Sequence, residues 1–303
     1  MASSASLPAT SPQRALGDVS PPTVRQQTFR RFRRHRSAAA GGAIILGFIL
    51  VALIAAVWTP YPPDAPTLAQ RLGSPTWAHP FGTDDVGRDI MTRLAYGARY
   101  SLLMGIVAVS LSAAIGVPTG LIAGYKGGRW DIVAMRVVDV LMTLPSIVLA
   151  VAIVSVLGPG IASVILAVAV ASIPAFARLA RATTLTLRDQ DFVAAARVVG
   201  ASDRRILARH VFPNSLPPLI VQASIGVGST ILIASALGFL GLGVQPPTPE
   251  WGSMLSRGRS YISSSPHLVL FPGLAIALLV LGFNLLGDGL RDALDPRLRG
   301  MME

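Results

Sequence analysis

The sequence contains no cysteine. A disulfide framework, a thiolate metal centre and a cysteine nucleophile are excluded together. Lysine is nearly absent as well, since only Lys126 of the 26 basic residues is a lysine. It is followed by Gly127 and Gly128, whereas a phosphate-binding loop needs Gly-x4-Gly-Lys-Ser/Thr so that lysine reaches the terminal phosphates. The chain therefore lacks the usual P-loop and is not expected to hydrolyse ATP by itself. Charge is the third shortage. Asp, Glu, Lys and Arg make up 14% of the residues, against about 25% in an ordinary soluble protein, while 52% are hydrophobic and the mean hydropathy is +0.58. A disordered chain and a typical water-soluble enzyme are both excluded.

The charges that exist leave long gaps. None falls between Arg36 and Asp64, Arg99 and Lys126, Asp139 and Arg178, Arg209 and Glu250, or Arg259 and Asp288. Crossing the hydrocarbon of a bilayer takes about 20 apolar residues at 1.5 Å each. The run from Asp139 to Arg178 holds two such lengths, divided by Gly158-Pro159-Gly160. Lipid offers backbone amides no water partner, so the runs must be helical. The reading is all-α: a polytopic membrane protein with six transmembrane helices at about 38–58, 102–124, 137–157, 161–180, 216–242 and 268–287.

Arginine placement sets the expected orientation. The tail 1–37 has seven Arg and one Asp, 59–100 has four of each sign, and 178–214 has seven basic and three acidic residues. Cytoplasmic segments collect Lys and Arg, so both termini and the loops 125–136 and 181–214 are expected inside. The net charge of +11 follows from this topology without any nucleic-acid partner. The expected layout is a basic cytoplasmic tail 1–37, a first transmembrane helix 38–58 and an extracytoplasmic segment 59–100. A five-helix core 101–290, carrying the cytoplasmic loop 181–214, and a cytoplasmic tail 291–303 complete it.

The loop 181–214 carries the most specific pattern. Phe192, Ala195 or Ala196, and Val199 recur at helical spacing. Gly200 suits the left-handed turn that ends a helix, and Ser202 is placed to cap a second short helix through Arg209. Two alanines, three residues, Gly200, nine residues and then His210-Val211-Phe212-Pro213 resemble the EAA loop of ABC-importer permeases. In that family the loop is the coupling helix that docks on a cytoplasmic ATPase. The resemblance makes Phe192, Ala195, Ala196, Gly200, Ala201 and Ser202 the coupling candidates. Ala194 stands at the family's glutamate place and His210 at its isoleucine place, so a glutamate-based salt bridge to the ATPase is not expected here.

Further blocks resemble the C-type permease of dipeptide, oligopeptide and nickel importers. They are Phe81-Gly82-Thr83-Asp84-Asp85-Val86-Gly87-Arg88-Asp89 with Tyr96 to Leu102, Gln245 to Gly252, and Phe271-Pro272-Gly273 with Asn284 to Pro296. The likeness runs from about residue 29 to the end. It implies an ABC-importer permease core, with span one packed outside spans two to six, in a bacterial cytoplasmic membrane. It also implies a heterodimer with a homologous B-type permease, two cytoplasmic ATPase subunits that use ATP and Mg, and an extracytoplasmic substrate-binding protein. No cofactor is assigned to this chain. Short peptides are the first substrate reading, with nickel or another small solute as the alternative and a secondary transporter as the distant one.

Several polar residues fall in the spans. Gln222, Ser224 and Ser229, among small residues of the fifth span, are candidates to line the pathway, with close helix packing the other reading. Arg136 and Asp139 are spaced to pair on one helix face. Pro145, Pro174 and Pro217-Pro218 are expected to kink their helices. Pro247 and Trp251, in a proline-rich stretch, are candidate contacts for the extracytoplasmic partner. The four histidines have no metal-ligand spacing, and no serine has a partnered histidine and carboxylate, so neither a metal site nor a catalytic residue is assigned.

Overall fold

A computed structural model describes residues 36–294; the readings of the basic tail up to residue 35 and of the C-terminal tail from residue 295 lie outside these residues. Among the described residues the secondary structure is helical, apart from one isolated bridge between Thr83 and Asp89. The helices are α1 (Arg36–Val57), α2 (Ile90–Lys126), α3 (Gly128–Leu141), α4 (Ser146–Leu157), α5 (Ile161–Arg188), α6 (Asp191–Val198), α7 (Asp203–Phe239), α8 (Trp251–Gly258) and α9 (His267–Leu294). Five of them, α1, α2, α5, α7 and α9, are long and apolar enough to cross a membrane.

The expected third span is not one straight helix. The pair α3 and α4 meets at an angle of 82°, and counting it as one broken span gives six. Pro145 stands at the start of α4 in an extended conformation. Its ring cannot follow the preceding turn and it has no N–H for the ladder, so α3 has to stop. Ion pairs aim α3 elsewhere. Arg181 on α5 grips both oxygens of Asp131 at 2.5 and 2.6 Å, and Arg178 meets Asp139 at 2.7 Å. The expected partner of Asp139, Arg136 on the same helix, is thus displaced by a residue 39 positions away.

Small residues bring the long helices together. Gly116, Gly120 and Gly124 form a stripe at four-residue spacing on α2, and their missing side chains admit the backbone of α5 at Ile173, Ala177 and Arg181. A methyl group on Gly116 would stand 2.7 Å from the carbonyl of Ile173. Hydroxyls close further seams: Ser112 donates to the carbonyl of Ala169 on α5 at 2.9 Å, and Thr230 on α7 to that of Gly105 on α2 at 3.2 Å. Helix α1 packs on α9 through Gly41, where an added methyl would lie 2.5 Å from the carbonyl of Gly282. Only 22% of the apolar stretch of α1 is buried against its own chain, compared with 44% for α2, so α1 sits at the periphery.

At the N-terminal end of α2, the segment before it folds into a polar cap. Asp89 caps the helix by accepting the Thr92 N–H at 2.7 Å. Arg88 pairs with Asp84 at 2.7 Å, and Arg93 reaches Asp64 at 3.3 Å and the carbonyl of Pro247 at 3.1 Å. This network starts α2 at Ile90, well before the apolar run that marked its span.

Candidate functional site

The opposite end of the bundle carries the coupling candidates. Helix α6 is apolar on two faces. Val193 and Ala196 turn inward and are buried in the cluster that contains Ile206 and Val211. Phe192, Ala195, Val198 and Val199 turn outward, with Val198 and Val199 87% and 82% exposed. Gly200 has φ +79°. Its N–H donates to the Arg197 carbonyl at 2.9 Å, and the Ala201 N–H to that of Ala196 at 3.0 Å. These two bonds form a Schellman turn, which needs a left-handed residue after the helix.

Phe192, Ala195, Val199, Gly200, Arg205, Arg209 and His210 border an open groove of about 550 Å³. An exposed apolar patch with a basic rim is the form of a protein-docking surface. The turn is tied to the bundle through α2: the Tyr125 hydroxyl donates to Asp203 at 3.1 Å, and the Arg197 guanidinium lies 5.4 Å from the Tyr125 ring centroid.

Two details of this element differ from expectation. Ser202 stands before α7 but its side chain makes no cap bond; its carbonyl takes the Ile206 N–H at 2.9 Å instead. The residues after it do not form a separate short helix. They run through a π turn at Leu207–Val211 into the long α7, so loop and span are one rod. Of the two alanines, Ala195 faces out while Ala196 packs underneath. Val198, Arg205 and Arg209 complete the surface, and the signal that would have added them is the strong exposure of an apolar residue between arginines, which appears only once the inward face is known.

The three polar residues of α7 separate. Ser224 is buried and donates to the Phe283 carbonyl at 3.3 Å, joining α7 to α9. It is a packing residue here, not a lining one, because its hydroxyl is turned to the backbone of α9. Ser229 is exposed and bonds only within its own helix, to the Ile225 carbonyl at 3.4 Å. Gln222 is half-buried.

Pro247 is exposed, but Trp251 is 0% exposed and cannot meet a partner surface. Gly97 leaves space for its ring, its indole N–H donates to the Leu94 carbonyl at 3.0 Å, and Phe48 meets it edge-on at 5.4 Å. Trp251 therefore anchors α8 to α2 and α1. Beside it lies a residue that the sequence did not single out. The fully buried Glu250 caps α8 by accepting the N–H groups of Gly252 and Ser253 at 2.7 and 2.8 Å. Burial pushes its carboxyl up to about 7, and those two N–H bonds pull the other way.

Residues 116–300 match the family described as binding-protein-dependent transport system inner membrane component, and residues 23–75 match the N-terminal TM domain of oligopeptide transport permease C. The chain is 48% identical to the dipeptide transport system permease protein DppC of Alkalihalophilus pseudofirmus, over 90% of each chain. It is 49% identical to the glutathione transport system permease protein GsiD of Escherichia coli O1:K1, over 94% of this chain and 96% of that one. Among solved structures it resembles a chain of the MetNI methionine ABC transporter in inward facing conformations. The TM-score is 0.57 at 20% identity, over 68% of this chain and 98% of the other, a likeness of fold alone.

Proposed function

Because the chain belongs to the family of binding-protein-dependent transport system inner membrane components, we propose that it is the peptide-translocating permease subunit of an ABC importer. The observation that carries the substrate class is near-full-length identity of 48–49% with permeases named for dipeptides and for glutathione, itself a peptide. Its partners are a homologous B-type permease, two cytoplasmic ATPase subunits that bind ATP and Mg, and an extracytoplasmic binding protein that delivers the peptide. The half-pathway lies where the two permeases meet, and transport proceeds by alternating access without covalent chemistry in this chain.

Phe192, Ala195, Val198 and Val199 supply the apolar face of the coupling helix, Gly200 and Ala201 its turn, and Arg205 and Arg209 the basic rim that faces the ATPase. Closure of the ATPase dimer moves α6, and α7 carries that motion into the membrane. Both termini are cytoplasmic, the polar cap around Asp84, Arg88 and Arg93 is extracytoplasmic, and α2 to α9 form the permease core with α1 outside. Pro247 remains the exposed candidate for contact with the binding protein.

Copurification tests this reading, followed by ATPase and uptake assays with a panel of binding proteins and peptides. The expected result is recovery with a second permease and two ATPases, with turnover stimulated by one peptide-loaded binding protein. A chain that moves solute in liposomes without nucleotide or partners would overturn it.

A further inference from the structure

The turn joining α2 to α3 presents cations that pair with no carboxylate among the described residues. Lys126 and Arg129 are exposed. The carboxylates nearby are engaged elsewhere, Asp131 with Arg181, Asp139 with Arg178 and Asp189 with Arg188. The Lys126 ammonium lies 5.0 Å from the ring centroid of Trp130, which is 63% exposed. Next to them an open groove of about 610 Å³ runs between the two helices. Thr119, Ile122 and Ala123 of α2 and Trp130 and Val133 of α3 line it, with Arg129 also on its wall.

The depth of this groove follows from α2. No charge occurs between Arg99 and Lys126, a stretch that rises about 40 Å at 1.5 Å per residue. That is the thickness of a bilayer with its headgroups, so Lys126 emerges at headgroup level. Helix α3 does not run alongside the spans. Asp131 and Asp139 are two turns apart on α3, yet they meet Arg181 and Arg178, which are less than one turn apart on α5. Helix α3 therefore crosses α5 steeply. Val138 packs inward and Asp131 and Asp139 reach back to α5, while Trp130, Val133, Val137 and Val140 face outward. A short amphipathic helix with an exposed Trp, set across the spans at headgroup depth, has the form of an interfacial helix.

We propose that the groove between α2 and α3 is a binding site for an anionic phospholipid, with its phosphate between Lys126 and Arg129 and an acyl chain along Ile122 and Val133. The charge of the rim selects an anion, and the apolar walls below it select one that carries a hydrocarbon tail. Basic pockets between transmembrane helices on the cytoplasmic side hold anionic headgroups in this way. The site goes beyond the transport reading and takes from it only the leaflet, which is the inner one.

The test uses the full chain with its copurifying subunits, reconstituted in phosphatidylcholine vesicles. Trp58→Phe and Trp77→Phe leave Trp130 and the buried Trp251 as the fluorophores of this chain, and Trp130→Phe identifies the quenched signal. The titrants are phosphatidylglycerol and phosphatidylcholine with brominated acyl chains. Phosphatidylglycerol is expected to quench Trp130 at mole fractions on the order of tenfold lower, and added salt should shrink that preference. Lys126→Gln with Arg129→Gln is expected to abolish it. Equal quenching by the two lipids would overturn the site. Absence of quenching by either would also overturn it. The comparison of two lipids requires no change to the cations, and it contains no transport step, so its outcome is independent of the importer reading.

Discussion

The Ala201 N–H reaches back to the carbonyl of Ala196 at 3.0 Å, and with the Gly200 N–H bond to Arg197 it fixes where α6 ends and how its outer face is presented. It exists because Gly200 adopts φ +79°, a region that costs a side-chain-bearing residue about 1–2 kcal/mol. No neighbouring atom lies within 4 Å of where a Gly200 side chain would begin, so any effect of substitution is conformational within this chain. Gly200→Val is expected to reduce uptake strongly while membrane insertion and thermal stability of the bundle stay near wild type. Gly200→Asn, which tolerates the left-handed region, should retain most of the coupling. Uptake and binding-protein-stimulated ATPase activity measured side by side decide it; wild-type values for both in Gly200→Val would refute the role of the turn.

Glu250 predicts a pH dependence of unusual sign. Its carboxyl is raised from 4.5 to about 7 by burial, so between those values the folded state holds a proton that the unfolded state has released. Stability is therefore greatest below about 4.5 and declines as pH rises to about 7, by on the order of 3 kcal/mol for this group alone. Glu250→Gln should flatten that slope relative to wild type in detergent melting curves recorded from pH 5 to 8. Parallel slopes in the two proteins would show that Glu250 does not titrate in this range.

Adjacent glycines on α1 make an internal control. A methyl at Gly41 would press on the backbone of α9 at Gly282, whereas one at Gly42 meets nothing within 4 Å. Gly41→Val is expected to cost about 1–3 kcal/mol by overpacking, and Gly42→Ala to be neutral or slightly stabilising. Apparent melting temperatures of the two variants should differ by several degrees, and equal values would mean that α1 does not pack on α9 in this register.

Trp251 should behave as a core residue. Trp251→Ala removes a wholly buried indole and is expected to destabilise the protein by about 3–5 kcal/mol. Trp251→Phe should lose less, mainly the bond to the Leu94 carbonyl. A Trp251→Ala protein with wild-type melting behaviour but weakened binding-protein contact would restore the surface reading.

The spans were legible because the cost of a charge in lipid is paid residue by residue, and the gaps between charges record it. The Schellman turn was legible for the same local reason, since Gly200 follows an apolar helix directly. Long-range geometry was not. Asp139 has a plausible partner three residues away in Arg136, and only the crossing of α3 over α5 selects Arg178 instead. Pro246, Pro247 and Pro249 suggested an exposed element around Trp251, yet Gly97, Gly238 and Gly252 let the surrounding backbones close over Glu250 and Trp251. Glycine in a sequence does not state what will approach it, so the buried pair could not be told from a surface motif.

The continuity of α7 from Asp203 to Phe239 has a mechanical consequence. A rod of that length measures about 55 Å, with the docking turn at one tip and the loop leading to Glu250 at the other. Tilting it by about 10° around its midpoint swings each tip by about 5 Å in opposite senses. A tilt of this continuous helix can thus narrow a gap at one membrane face while widening the gap at the other, with no relay of loops between them.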